Sequence, residues 1–115
     1  MSMGRVATNR RAGALRHRVI LESMTKMDDG GGGVDIIWEQ VAPLWVAIKP
    51  LSGRERLGAG QYASRLTHEI TLRYRILALP EMRFRKGNRI FEITAVINVD
   101  EKSQWLRVLC AEEEL

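Results

Sequence analysis

Residues that do covalent or metal chemistry are scarce in this chain of 115 residues: it has one cysteine and two histidines. A lone Cys110 cannot form an internal disulfide, so the fold must stand on apolar burial, which fits a reducing compartment or indifference to redox state. One thiol and two imidazoles, His17 and His68, also lack the close-spaced ligand pairs of structural zinc sites. No apolar run approaches the roughly 18 residues of a membrane span, and the N-terminus has no apolar segment resembling a signal peptide. The expectation is a soluble, unexported protein of one domain, with no cofactor, no metal and no membrane partner. At 45% apolar residues, the chain has the material for a single core.

Acidic residues are missing from the first eighteen positions, which carry Arg5, Arg10, Arg11, Arg16 and Arg18. Those five arginines account for the net charge of +4 and leave the rest of the chain nearly neutral. The excess therefore belongs to a terminal arm. Such an arm either meets phosphate or an acidic partner, or serves only as a solvated terminus.

What the chain does have is alternation. Leu66, His68, Ile70, Leu72, Tyr74 and Ile76 alternate with Thr67, Glu69, Thr71, Arg73 and Arg75, a period of 2 that predicts a strand with one face in a core. Further strands are predicted over 16–23, 36–41, 44–49, 82–85, 89–99 and 105–111, with Pro43 interrupting the second and third. Trp38, Trp45, Tyr74 and Phe84 are expected in the core. Pro50 ends one strand, and Ser52-Gly53 can cap a short helical turn over 54–63. Between the first two strands, Asp28 and Asp29 precede four consecutive glycines, Gly30, Gly31, Gly32 and Gly33, and predict a mobile hairpin tip across 25–35. A strand-like run follows, which argues against a phosphate-binding loop. The pattern as a whole indicates an all-β fold: a small antiparallel barrel or sandwich of about six strands, with one short helical insertion and a long Gly-rich hairpin loop. Residues 1–14 are expected to form a flexible basic arm, 15–111 the barrel domain, and 112–115 an acidic tail in water.

Catalysis needs a nucleophile, a base in reach and a stabiliser of developing charge. Cys110 shares a strand face with Leu106 and Val108, which makes it a buried, inert thiol. The two histidines fall on apolar strand faces. No enzymatic site emerges. The remaining feature is basic: if the strands carrying Arg73 and Arg75 and those carrying Arg83 and Arg85 are neighbours, they form a patch fit for a phosphate backbone or an acidic subunit. No aromatics interleave with these arginines, as base-stacking surfaces require.

Several segments in order resemble one family. They are Arg11-Ala12-Gly13 with Leu15 to Val19; Trp38-Glu39, Val41-Ala42, Trp45-Val46-Ala47 and Pro50 to Glu55; and His68, Ile70, Leu72 to Arg75, Met82-Arg83, Phe91 through Ile97, and Asp100-Glu101. This set, over roughly residues 11–111, is similar to the bacteriophage head-tail joining proteins, also called head-tail adaptors or head-closure proteins. The resemblance implies a β-barrel subunit in a homo-oligomeric ring beneath the portal of a tailed phage or prophage, at the virion head-tail junction after assembly in the host cytoplasm. It implies as partners a portal or adaptor protein, a tail-completion or tail-terminator protein, and packaged double-stranded DNA in the channel. It carries no catalytic residues. Subunit, portal or DNA contacts are then expected of Arg10, Arg11, Arg16, Arg73, Arg75, Arg83 and Arg85. Residues 25–35 match by position a loop that in relatives projects toward the channel and helps retain DNA, with Asp28 to Gly33 as its expected channel or gating residues. The alternative function is an oligonucleotide-binding (OB-like) barrel, suggested by the basic arm and the strand count; a small hydrolase built on Cys110 is a second.

Overall fold

In a computed structural model, which describes residues 15–58, 65–74 and 80–114, the alternating segments become six strands. They are β1 (His17–Asp28), β2 (Val34–Pro50), β3 (His68–Arg73), β4 (Arg83–Lys86), β5 (Arg89–Asn98) and β6 (Trp105–Glu114), with one helix, α1 (Gly53–Gly58). All neighbours are antiparallel and the ring closes in the order β1-β2-β3-β6-β5-β4. The expected small all-β barrel with one short helix is therefore the observed fold.

One side chain of every second residue enters the barrel. Val19 and Leu21, Leu44 and Val46, Ile70 and Leu72, Phe84, Phe91 and Ile93, and Leu106, Val108 and Cys110 form a single core. This is the burial that holds the chain, at roughly 1.5–3 kcal/mol for each large apolar side chain. Closure is uneven. β1 pairs with β2 along its whole length, but it meets β4 only at Ile20, Leu21 and Glu22, and β2 meets β3 only over Ala47 to Pro50. Among the described residues, 23–28 and 34–40 thus pair only with each other and form a two-stranded ribbon beyond the barrel. The molecule measures 63 Å along its long axis against 30 and 27 Å across.

Two expectations about this region are corrected. Pro43 does not split the strand. Leu21 pairs with Ala42 and Glu22 with Gln40, so Val41 is the extra residue of a β-bulge, and Pro43 lies between that bulge and the point where β3 joins β2. A missing N–H there removes no bond to β3. The tip is also shorter than the predicted 25–35, because pairing persists to Asp28 and Val34.

The helix begins as predicted, with a reciprocal cap. Glu55 N–H donates to Ser52 Oγ (3.1 Å), while Ser52 N–H donates to Glu55 Oε1 (3.0 Å). The part of its predicted span at 59–63 lies outside the described residues. Gly87 and Asn88 make the two-residue turn between β4 and β5, with Gly87 at φ +61°. The acidic end is not a free tail, since β6 runs on through Glu114 and pairs with β5 as far as Arg89.

Candidate functional site

The predicted basic patch divides once the strands are placed. β3 and β4 lie across the barrel from one another, separated by two strands on either side. Arg73 is on one wall and Arg83 and Arg85 on the other. Arg75, Arg10 and Arg11 lie outside the described residues, and Arg16 is exposed just before β1.

On the β4 wall the arginines are already partnered. Arg83 Nε donates to Glu22 Oε1 (2.7 Å) and Arg85 Nε to Glu22 Oε2 (2.9 Å). Glu22 is 5% exposed. Burial pushes its carboxyl up, yet the two guanidinium hydrogen bonds and their charge outweigh this and hold it below the ordinary carboxylate range. The Arg83 guanidinium also lies 4.0 Å from the Trp38 ring centroid, so the cation is sandwiched between carboxylate and indole. Trp38 is half-buried on the outside and does not enter the core.

A second polar cluster closes one end of the barrel. Arg89 donates twice to Glu112, from Nε to Oε2 (2.7 Å) and from Nη2 to Oε1 (3.1 Å), with its guanidinium 4.8 Å from the Phe91 ring. The paired Arg89 lowers the Glu112 carboxyl and is itself raised. His68 stands edge-on to Phe91, with Nδ1 2.9 Å from Thr67 Oγ1 and 3.7 Å from Glu112 Oε1. Glu112 N–H donates to Thr67 Oγ1 (2.7 Å). This is a structural plug. The expected acidic tail in water is corrected at Glu112: nothing local shows that Arg89, two residues along β5 from Phe91, the register partner of Glu112, reaches it diagonally.

The β1–β2–β3–β6 wall carries a different arrangement. Arg18 pairs with Trp45 and Arg73 with Trp105, and continuing the Ala47–Thr71 register brings Trp45 opposite Arg73. Arg18, Trp45, Arg73 and Trp105 therefore form one row across four strands. Each guanidinium stacks on an indole, at 5.3 Å for Arg18 on Trp45 and 5.1 Å for Arg73 on Trp105. Trp45 and Arg73 share a hollow of about 210 Å³ with Leu15, Pro43, Leu44 and Leu72. Trp45 is 53% exposed and Tyr74 41%, which corrects their predicted place in the core. The expectation that no aromatic interleaves with arginine is corrected too. Leu44 and Val46 were visible on either side of Trp45. Their alternation already puts the indole on the other face.

At the far end of the ribbon, the Asp-Gly run builds a defined turn. Asp29 Oδ1 accepts from Gly31 N–H (2.8 Å) and Gly33 N–H (2.9 Å), and Asp28 Oδ1 accepts from Gly30 N–H (2.9 Å). The Gly31 and Gly33 amides lower the Asp29 carboxyl. Gly30 and Gly32 take φ of +86° and +89°, and a side chain at Gly33 would collide with the Asp29 carboxylate. The two carboxylates thus shape the tip. Behind it, Met27, Val34, Ile36, Ile37 and Val41 are exposed.

Among the described residues the cysteine and a histidine do not form a nucleophile–base pair. Cys110 is opposite His68 in register but fully buried, and burial pushes its thiol far above the usual range, so the nucleophilic thiolate is disfavoured. Among the described residues no three His, Cys, Asp or Glu side chains are grouped to hold a metal ion, and no helix is long and apolar enough to cross a membrane.

Comparison with known proteins points to a structural component of phage-type particles. The sequence profile of the phage head completion proteins matches residues 10–114. A chain in the virion of a native gene transfer agent particle is 31% identical, with 88% of this chain and 96% of that one covered at a TM-score of 0.63. A protein from Shigella flexneri 2a, solved in solution, shares the fold at a TM-score of 0.69 with 24% identity, over 89% of this chain and 96% of that one. No curated protein matches. The chain belongs to the phage head completion protein family, and is thus a structural protein of phage-type heads.

Proposed function

We propose that this protein is the ring-forming connector subunit of a head-tail junction, which docks beneath the portal, closes the filled head and receives the tail, without enzymatic activity. The observation that carries this reading is the ribbon. A two-stranded hairpin is at best marginal alone in water, and this one exposes Met27, Val34, Ile36 and Ile37. Such a ribbon is suited to being covered in an assembly. Family membership supports the setting, and the gene transfer agent chain is a virion component. The partners are then copies of itself, a portal or adaptor protein, a tail-completion or tail-terminator protein, and double-stranded DNA in the channel. The turn from Asp28 to Gly33 is the segment a ring would hold toward its channel or against a neighbour; being acidic, it would retain DNA by bulk and not by charge. The reading places the protein in the bacterial host during assembly and in the particle thereafter.

Negative-stain imaging and sedimentation of the protein mixed with its portal complex test this. The expected result is a ring of added density on the portal. Separate sedimentation, together with tight, salt-sensitive binding of single-stranded DNA by the monomer, would replace it with the oligonucleotide-binding alternative.

A further inference from the structure

The large apolar side chains that stand out of the protein, among the described residues, fall in two regions. Met27, Val34, Ile36, Ile37 and Val41 belong to the β1–β2 ribbon and the strand leading into it. Trp45 stands in the arginine–tryptophan row, and Tyr74 follows Arg73 at the end of β3. The two surfaces differ in charge. Between Lys26 and Asp35 the ribbon end carries Asp28, Asp29 and Asp35 against a single lysine. The row carries Arg18 and Arg73, and among the described residues no carboxylate forms an ion pair with either.

From this we infer that two copies of the chain join with the ribbon of one laid over the Arg18–Trp45–Arg73–Trp105 row of the next. The inference rests on the ring reading above and specifies its lateral joint. Stacking on the indoles leaves guanidinium N–H edges for carboxylates, while Trp45 offers apolar area to Met27 and Ile37, which share one face of the ribbon with Asp35; Val34 and Ile36 alternate onto the other face. The ribbon cannot satisfy its own row. β1 leads directly away from Arg18 to Asp28, which puts the tip about 33 Å from the row at about 3.3 Å per residue. A surface on one copy that matches a different surface on the next is the arrangement from which closed rings are built.

The test uses the full chain in two single-substitution forms, Ile37→Cys and Tyr74→Cys. Both positions are surface-exposed, and the native Cys110 is buried and does not compete. The two are mixed in equal amounts, assembled with the portal complex, and treated with a short bis-maleimide. Cross-linked dimers containing one copy of each form, absent when either is used alone, are the expected result. Arg18→Glu with Arg73→Glu should weaken subunit association by about tenfold or more, and Asp35→Arg on the neighbouring copy should restore part of it. Rings that form but give no mixed cross-link, or that are indifferent to Arg18→Glu with Arg73→Glu, overturn this joint and leave the ring reading intact. A protein that forms no assembly with or without portal overturns both.

Discussion

The barrel and the ribbon are made from the same two strands, yet apolar residues fare oppositely in them. On β1, Leu21 is 0% exposed and Met27 50%; on β2, Val46 is 0% and Ile36 54%. Neither residue type nor local pattern separates these pairs. Neighbours do: β4 and β3 flank the barrel halves of β1 and β2, and among the described residues no strand pairs with the outer edges of the ribbon halves. The barrel spends its apolar residues on its own stability. The ribbon holds its apolar residues at the surface, through its register and the Asp29 turn.

This contrast is sharpest under truncation. Phe84→Ala should cost about 3–5 kcal/mol of unfolding free energy, since the ring fills the core with 0% exposure. Ile36→Ala should stay within about 0.5 kcal/mol in the free chain, while weakening assembly. Denaturant titration of both, beside sedimentation of the second, checks the pair; equal losses of stability would erase the distinction between the two regions.

Glu22→Gln comes next, at about 3 kcal/mol, because it leaves Arg83 and Arg85 facing a neutral group in a nearly buried site. The same pairing fixes the acid limb of stability. Glu22 and Glu112 have folded values below their ordinary 4.5, so their contribution is complete above that pH and is lost as pH falls through the lowered values. Thermal melts from pH 7 to 3 should show this loss, and Glu22→Gln should flatten it.

Asp29→Ala acts on the ribbon alone. Without the carboxylate that accepts from Gly31 and Gly33, amide protection in 23–28 and 34–40 should fall by about threefold or more while barrel amides keep theirs. Smallest of all is Glu92→Gln. Burial and the adjacent Glu113 raise the Glu92 carboxyl, so its favourable contribution is present below 4.5 and lost as pH rises through the raised value. The glutamine should therefore raise the melting midpoint slightly at neutral pH, with no change at pH 3.

Much of this architecture was readable from period alone. The β5 alternation, the Gly87-Asn88 turn, the Ser52–Glu55 cap and the buried Cys110 all follow from local residue order, and local order is what secondary structure responds to. What escaped were facts about which strands become neighbours. Arg73 and Arg83 looked like one patch because their strands are near in sequence; the crossover from β3 to β6 puts them on opposite walls. Glu112 looked like a tail until Arg89 met it across β5 and β6. The predicted break at Pro43 failed because a bulge at Val41 and an absent third strand tolerate it there. The tryptophans misled for another reason. For Trp45, size argued for the core, whereas alternation with Leu44 and Val46 argued for the outside, and alternation decided.

The most direct test of the division of labour between barrel and ribbon is amide hydrogen exchange of the full chain, free and assembled on its portal complex. Residues 23–28 and 34–40 should exchange quickly in the free chain and become protected on assembly, while β5 and β6 remain slow in both. A ribbon that is already as protected as β5 in the free chain, or that gains nothing on assembly, would contradict the account.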